Sequence, residues 1–179
     1  MTYRSVISFW FEEIDNACWW AKDESFDHVI SARFGALHRQ ASRCELFSWR
    51  AEPEGRLAEI LILDQFSRNI FRGQPESFAF DSLALALAQE AVSIHADRLL
   101  TLAKRNFLYM PFMHSESIVV HESARALFEA NGDPQTKEFE RKHREIVERF
   151  GRYPHRNSIL GRQSTQQELD FLKQPKSGF

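Results

Sequence analysis

The chain has 179 residues: 43% are hydrophobic, 27% charged and 13% aromatic, with a formal net charge of -2. That length suits one domain of ordinary size, and the near-neutral charge leaves no global footprint for nucleic acid. Sixteen Phe against 7 Gly and 6 Pro exclude a disordered or low-complexity chain, because so much aromatic surface has to be buried.

The N-terminal residues 1–13 lack the pattern of a secretory signal: Arg4 is followed by Glu12 and Glu13, and no small-residue cleavage site appears. No apolar run is long enough to span a bilayer. Two cysteines, Cys18 and Cys44, cannot build a disulfide framework. The expectation is a soluble cytoplasmic protein with no membrane partner.

Val, Ile and Thr number 20 while Ala, Leu and Glu number 50, which favours helices throughout. The periodicity agrees. Val6, Ile7, Trp10 and Ile14 form a first stripe, with Thr2 or Ser5 as cap. Phe26, Val29, Ile30, Phe34, Leu37 and Ala41 form a second, started by Asp23 or Ser25. Pro53 opens a third helix that carries Leu57, Ile60, Leu61, Leu63 and Phe66 and stops near Gly73 and Pro75. Asp81 reads as the cap of a fourth. Its alternating Leu and Ala over 83–88 are apolar on every side, which predicts a central, buried helix. A fifth runs from about Thr101 to Met110, where Pro111 ends or kinks it.

Ser115 or Ser117 caps a sixth helix that ends at Asn131-Gly132. Asp133-Pro134 starts a seventh, with Phe139, His143, Ile146, Val147 and Phe150 on its core face and Gly151 as its stop. Thr165 and Glu168 have capping-box spacing for a short final helix. The expected architecture is all-α: antiparallel helical hairpins in a single domain over 1–172, with a frayed tail over 173–179.

Three segments break the apolar pattern with chemistry. In the third helix, Asp64 shares a face with Ile60 and Leu61, and Arg68 lies one turn on, within ion-pair reach; Asn69 and Arg72 add donors. At the next break, an apolar run ends at His114-Ser115-Glu116, where a histidine can exchange a proton and a carboxylate can fix its tautomer. The third break, Arg149 to Arg162, contains Arg152, His155, Arg156 and Asn157. Seven Lys or Arg and two acids stand between Arg141 and Arg162, and arginine forks suit carboxylate or phosphate. Each segment also has a purely structural reading, as an ion pair or cap that fastens helices. A His-x-x-x-His metal spacing is absent, and so are a Gly-rich phosphate cradle and a Gly-x-Ser-x-Gly elbow. No metal or other cofactor is called for.

The motifs Leu63-Asp64-Gln65-Phe66-x-Arg68-Asn69 with Arg72-Gly73, His114-Ser115-Glu116, and Arg149-Phe150-Gly151-Arg152-Tyr153-Pro154-His155-Arg156-Asn157 with Leu160-Gly161-Arg162 resemble the signature of a largely bacterial family, domain-of-unknown-function family 924. Phe9-Trp10-Phe11 and Trp19-Trp20 fit as well, and Ser67 stands where that pattern has Pro. The resemblance implies a tetratricopeptide-like α-α superhelix and assigns no activity.

The residues themselves suggest a polar pocket for a small anionic ligand. Arg68, Asn69, Arg72, Arg152, Arg156 and Asn157 would bind it, with Asp64, His114, Glu116 and His155 available for acid–base chemistry. The alternative is an interaction module that takes a peptide or partner helix in a concave groove. Nucleic acid is not an expected partner.

Overall fold

The computed structural model describes residues 1–175, and among these every regular element is helical. The expected tail falls partly on residues 176–179, which lie outside the described residues. No helix among those described is long and apolar enough to cross a membrane.

Helix α1 (Tyr3–Ser8) runs on into a wide π-type turn, Phe9–Glu13. Helix α2 (Glu24–Ala41) starts where the Asp23 side chain accepts from the Ser25 and Phe26 N–H groups, which would otherwise lack intrahelical partners. It buries Ile30, Phe34, Leu37 and Ala41, whereas Val29 is exposed. The predicted third helix is one continuous rod in three parts: α3 (Pro53–Leu61), a second π-type turn (Ile62–Phe66) and α4 (Ser67–Ile70). Gly55 is needed here, because a Cβ at this position would lie 2.0 Å from the Trp49 carbonyl oxygen.

Helix α5 spans Asp81–Ser93, and α6 spans Leu102–Met113. Helix α7 (Ile118–Asn131) ends at Gly132, and α8 (Pro134–Phe150) ends at Gly151, whose φ of 68° is the left-handed stop the sequence predicts. Helix α9 (Gln166–Leu172) has the full capping box of Thr165 and Glu168.

Two expectations change. Helix α5 is not central: it buries a single stripe of Ala84, Ala88 and Ala91, while Ala86 is exposed. The central helix is α6, where every residue from Asn106 to Met113 is buried. It packs against α3, α5, α7 and α8. Pro111 does not end it. The helix closes three residues later in sequence at His114, whose N–H donates to the Met110 carbonyl oxygen at 2.9 Å.

The main core joins Trp10, Phe34, Phe66, Phe107 and Phe128 to the aliphatic face of α3. Leu57, Ile60 and Leu61 are fully buried, and each contributes about 1.5–3 kcal/mol of transfer free energy. A second small cluster, Ile146, Val147 and Tyr153, packs with Phe150 and Phe171 at the C-terminal end.

Candidate functional site

The site begins at the π-type turn in the third helical rod. Such a turn inserts one extra residue and re-aims the side chains that follow it. Here it carries Asp64, which is 1% exposed. Gln65 Nε2 donates to Asp64 Oδ2 at 2.5 Å. The Arg68 guanidinium lies one turn on, at 3.2 Å from Asp64 Oδ1, and also donates to the Asp64 carbonyl oxygen at 2.6 Å. The predicted Asp64–Arg68 pair therefore exists, and it reaches further than the helix. His114 Nδ1 lies 2.7 Å from Asp64 Oδ1.

Burial alone would raise the Asp64 carboxyl. The Arg68 and His114 charges and bonds outweigh that and hold it well below the usual carboxylate range. An ionised carboxylate only accepts, so His114 Nδ1 must be the donor. Burial lowers the His114 pKa; the Asp64 charge opposes that, and Arg68 adds to the lowering. The net effect is an imidazole that favours its neutral form, with its free lone pair on Nε2.

Asp81 is the centre that sequence reasoning missed. It is the first residue of α5 rather than its cap, which is Phe80, and its side chain turns to two arginines instead. Arg68 Nη1 and Nη2 donate to its two oxygens at 3.0 Å each, and Arg156 Nη1 donates to Oδ2 at 3.0 Å. Arg156 comes from the short helical turn Pro154–Arg156. Its Nη2 donates to the His114 carbonyl oxygen at 3.0 Å. Its guanidinium lies over the Phe78 ring at 4.6 Å and the Tyr153 ring at 4.7 Å, a favourable setting for a desolvated cation.

Glu116 is tied to the same C-terminal loop. Arg162 forks onto it at 2.6 and 2.9 Å, and the Tyr153 N–H donates to it at 2.7 Å. Burial raises the Glu116 carboxyl, but these donors bring it below its usual value.

A pocket of about 270 Å³ opens beside these groups. Asp81, His114, Glu116 and Arg156 line it, together with apolar Pro75, Phe78, Leu85, Pro111 and Leu160. Of the ten residues singled out from the sequence, Asp64, Arg68, His114, Glu116 and Arg156 are thus brought together. The others go elsewhere. Asn69 and Arg72 both hold Asp27 of α2, at 2.8 and 2.7 Å. Arg152 forks onto Glu168 at 2.7 and 2.8 Å. Asn157 is fully buried and donates to Ser164 at 3.0 Å. The His155 ring packs on Tyr153 at 5.7 Å between centroids and does not line the pocket.

Tyr153 organises the ground behind the pocket. Its hydroxyl donates to the Met113 carbonyl oxygen at 2.5 Å and accepts from His121 Nε2 at 3.0 Å. The rings of His121, His143 and His155 all surround it. His143 and His114 lie 6.2 Å apart, centroid to centroid. Burial is the first cause that lowers His143, and His114 adds to it. Burial likewise takes His155 to about 4. The described residues contain no group of three or more His, Cys, Asp or Glu placed to hold a metal ion.

Asp81 gave no signal because an acid at a helix start looks like an ordinary cap. Phe78, which backs both arginines, follows the polar turn over residues 74–77, where one more Phe carries no signal. Ser67, by contrast, is committed on both sides. It donates to the Leu63 carbonyl oxygen at 2.6 Å and accepts from His38 Nε2 at 2.8 Å.

No curated protein matches the chain. A solved structure of a protein of unknown function, ATU0120 from Agrobacterium tumefaciens, is 38% identical to it. The two superpose with a TM-score of 0.91, over 96% of each chain. The family model described as "Bacterial protein of unknown function (DUF924)" matches residues 6–176. The all-helical chain therefore belongs to the DUF924 family.

Proposed function

We propose that the pocket binds a small molecule bearing an acidic group, and that His114 exchanges a proton with it. The observation that carries this reading is His114 on the pocket wall, held from behind by the buried Asp64 carboxylate. Asp64 fixes the tautomer, so the Nε2 lone pair of a neutral ring is available as a base. Arg156 brings a positive charge to the same wall.

The charge arithmetic supports the proton step. Asp64, Asp81 and Glu116 oppose Arg68, Arg156 and Arg162, each acid touching at least one of these arginines. An acid that enters beside a neutral His114 adds unbalanced negative charge in a poorly solvated place. A proton taken up on His114 cancels it, so ligand binding raises the His114 pKa and strengthens as pH falls.

The test is a thermal-shift screen with acetate, succinate, citrate and inorganic phosphate, on the wild type and on His114→Gln. The expected result is a stabilisation of the wild type that grows from about pH 8 to about pH 6 and is flat in the variant. A wild type that none of these acids stabilises at any pH would sink the proposal.

A further inference from the structure

We propose that Asp81 is a resident carboxylate: it occupies the seat that the ligand's own carboxylate takes, which makes the site selective for small carboxylic acids. This rests on the reading that the pocket holds an acidic ligand.

The seat has the shape of a carboxylate. Arg68 presents its two terminal nitrogens to the two Asp81 oxygens at 3.0 Å each, and Arg156 adds a third donor at 3.0 Å. Two parallel N–H···O bonds from one planar fork match a planar carboxylate.

The seat also keeps its form without Asp81. Arg68 is held independently by the Asp64 carboxylate at 3.2 Å and by the Asp64 carbonyl oxygen at 2.6 Å. Arg156 is held by the His114 carbonyl oxygen at 3.0 Å and by the Phe78 and Tyr153 rings. Removing Asp81 therefore leaves two placed guanidinium groups short of one negative charge.

Asp81 is the acid of this group that can leave. Its side chain is 17% exposed and lines the pocket, whereas that of Asp64 is 1% exposed. A rotation about χ1 moves an aspartate at a helix start without moving the helix. Away from the seat it stays in the first turn of α5, where the helix dipole favours a negative charge. Exchange then swaps one carboxylate for another on the same donors, and the charge of the arginine pair stays matched throughout.

The test compares acetate, succinate and inorganic phosphate by calorimetric titration at matched ionic strength, on the wild type, Asp81→Ser and His114→Gln. Asp81→Ser empties the seat. The expected result is about tenfold tighter binding of acetate and succinate than in the wild type, with a smaller gain for phosphate. Equal or weaker carboxylate binding in Asp81→Ser overturns the inference, as does a phosphate gain that matches the carboxylates.

Failure of the parent reading looks different. If the gain in Asp81→Ser stands but His114→Gln leaves the pH dependence of binding intact, the proton role falls and the seat survives. If nothing binds any of the three proteins, both fall. Should Asp81→Ser fail to fold in plain buffer, folded protein is titrated back with acetate against chloride. Recovery by acetate alone supports the seat, and recovery no better than chloride overturns it.

Discussion

Arg152 and Arg156 belong to one C-terminal loop and meet acids in different ways. Arg152 has Glu168 to itself, at 2.7 and 2.8 Å, and adds the Gln163 carbonyl oxygen at 2.9 Å. Glu168 is further committed to the capping box that starts α9. Every charge there has a settled partner, and the pair fastens the loop to a helix. Arg156 instead shares Asp81 with Arg68, beside a pocket and a neutral imidazole. Under the reading proposed above, Asp81 is the acid that exchanges, while Glu168 stays in place. The same residue type thus serves as a fastener on one side of the loop and as part of a pocket wall on the other.

Asp64→Ala is the strongest way to break the pocket side. It strands the His114 N–H in the interior and leaves Arg68 with Asp81 as its remaining carboxylate, and urea unfolding should show a loss of about 3–5 kcal/mol. Arg156→Ala comes next, at about 2–4 kcal/mol by the same measurement. It leaves the His114 carbonyl oxygen unpartnered and opens a gap between Phe78 and Tyr153. It should also abolish any stabilisation by small acids.

Acid pH should act more weakly. His38 and His155 are taken by burial to about 4, and burial also takes His143 well below its usual value. The unfolded chain therefore binds protons that the folded chain refuses. Stability is full above about pH 6.5 and falls progressively as pH drops towards 4. Asp64 and Glu116, held below their usual values, lose their contribution only at lower pH, below about 4.5. Urea midpoints from pH 7 to pH 4 check this, and His155→Gln should flatten part of the slope.

The smallest effects belong to the fasteners. Arg152→Ala should lower the melting temperature by about 3 °C, because Arg152 is partly exposed and Glu168 keeps its bond from the Thr165 N–H. Arg72→Ala breaks a half-exposed pair with Asp27 and should cost about 0.2–1 kcal/mol. Acid binding should be unchanged in both. A loss of binding in Arg152→Ala would erase the distinction between the two sides of the loop.

Local signals carried much of this in advance. Asp133-Pro134 and Gly151 bounded α8, Thr165 and Glu168 formed their box, and the spacing of Asp64 and Arg68 foretold their pair. Those features depend on residues close along the chain. The partners of Arg152, Asn69 and Arg72 depend on which helices meet, and no spacing within one segment encodes that. Pro111 was overweighted for a related reason. Burial of α6 on all sides holds the helix together past a residue that ends helices in isolation. The pocket itself needed Asp81 and Phe78, two residues with nothing distinctive in their own neighbourhoods.

The wide turn at Ile62–Phe66 has a consequence for how this site can vary. Deleting a single residue there would restore an unbroken α-helix with almost the same composition. The segments on either side would keep nearly the same register, because the turn absorbs its extra residue locally. Asp64, inside the turn, would be re-aimed away from His114, although neither residue had changed. The site is therefore written partly in chain length, and relatives with every polar residue in place but one residue fewer in this turn would be expected to lack it.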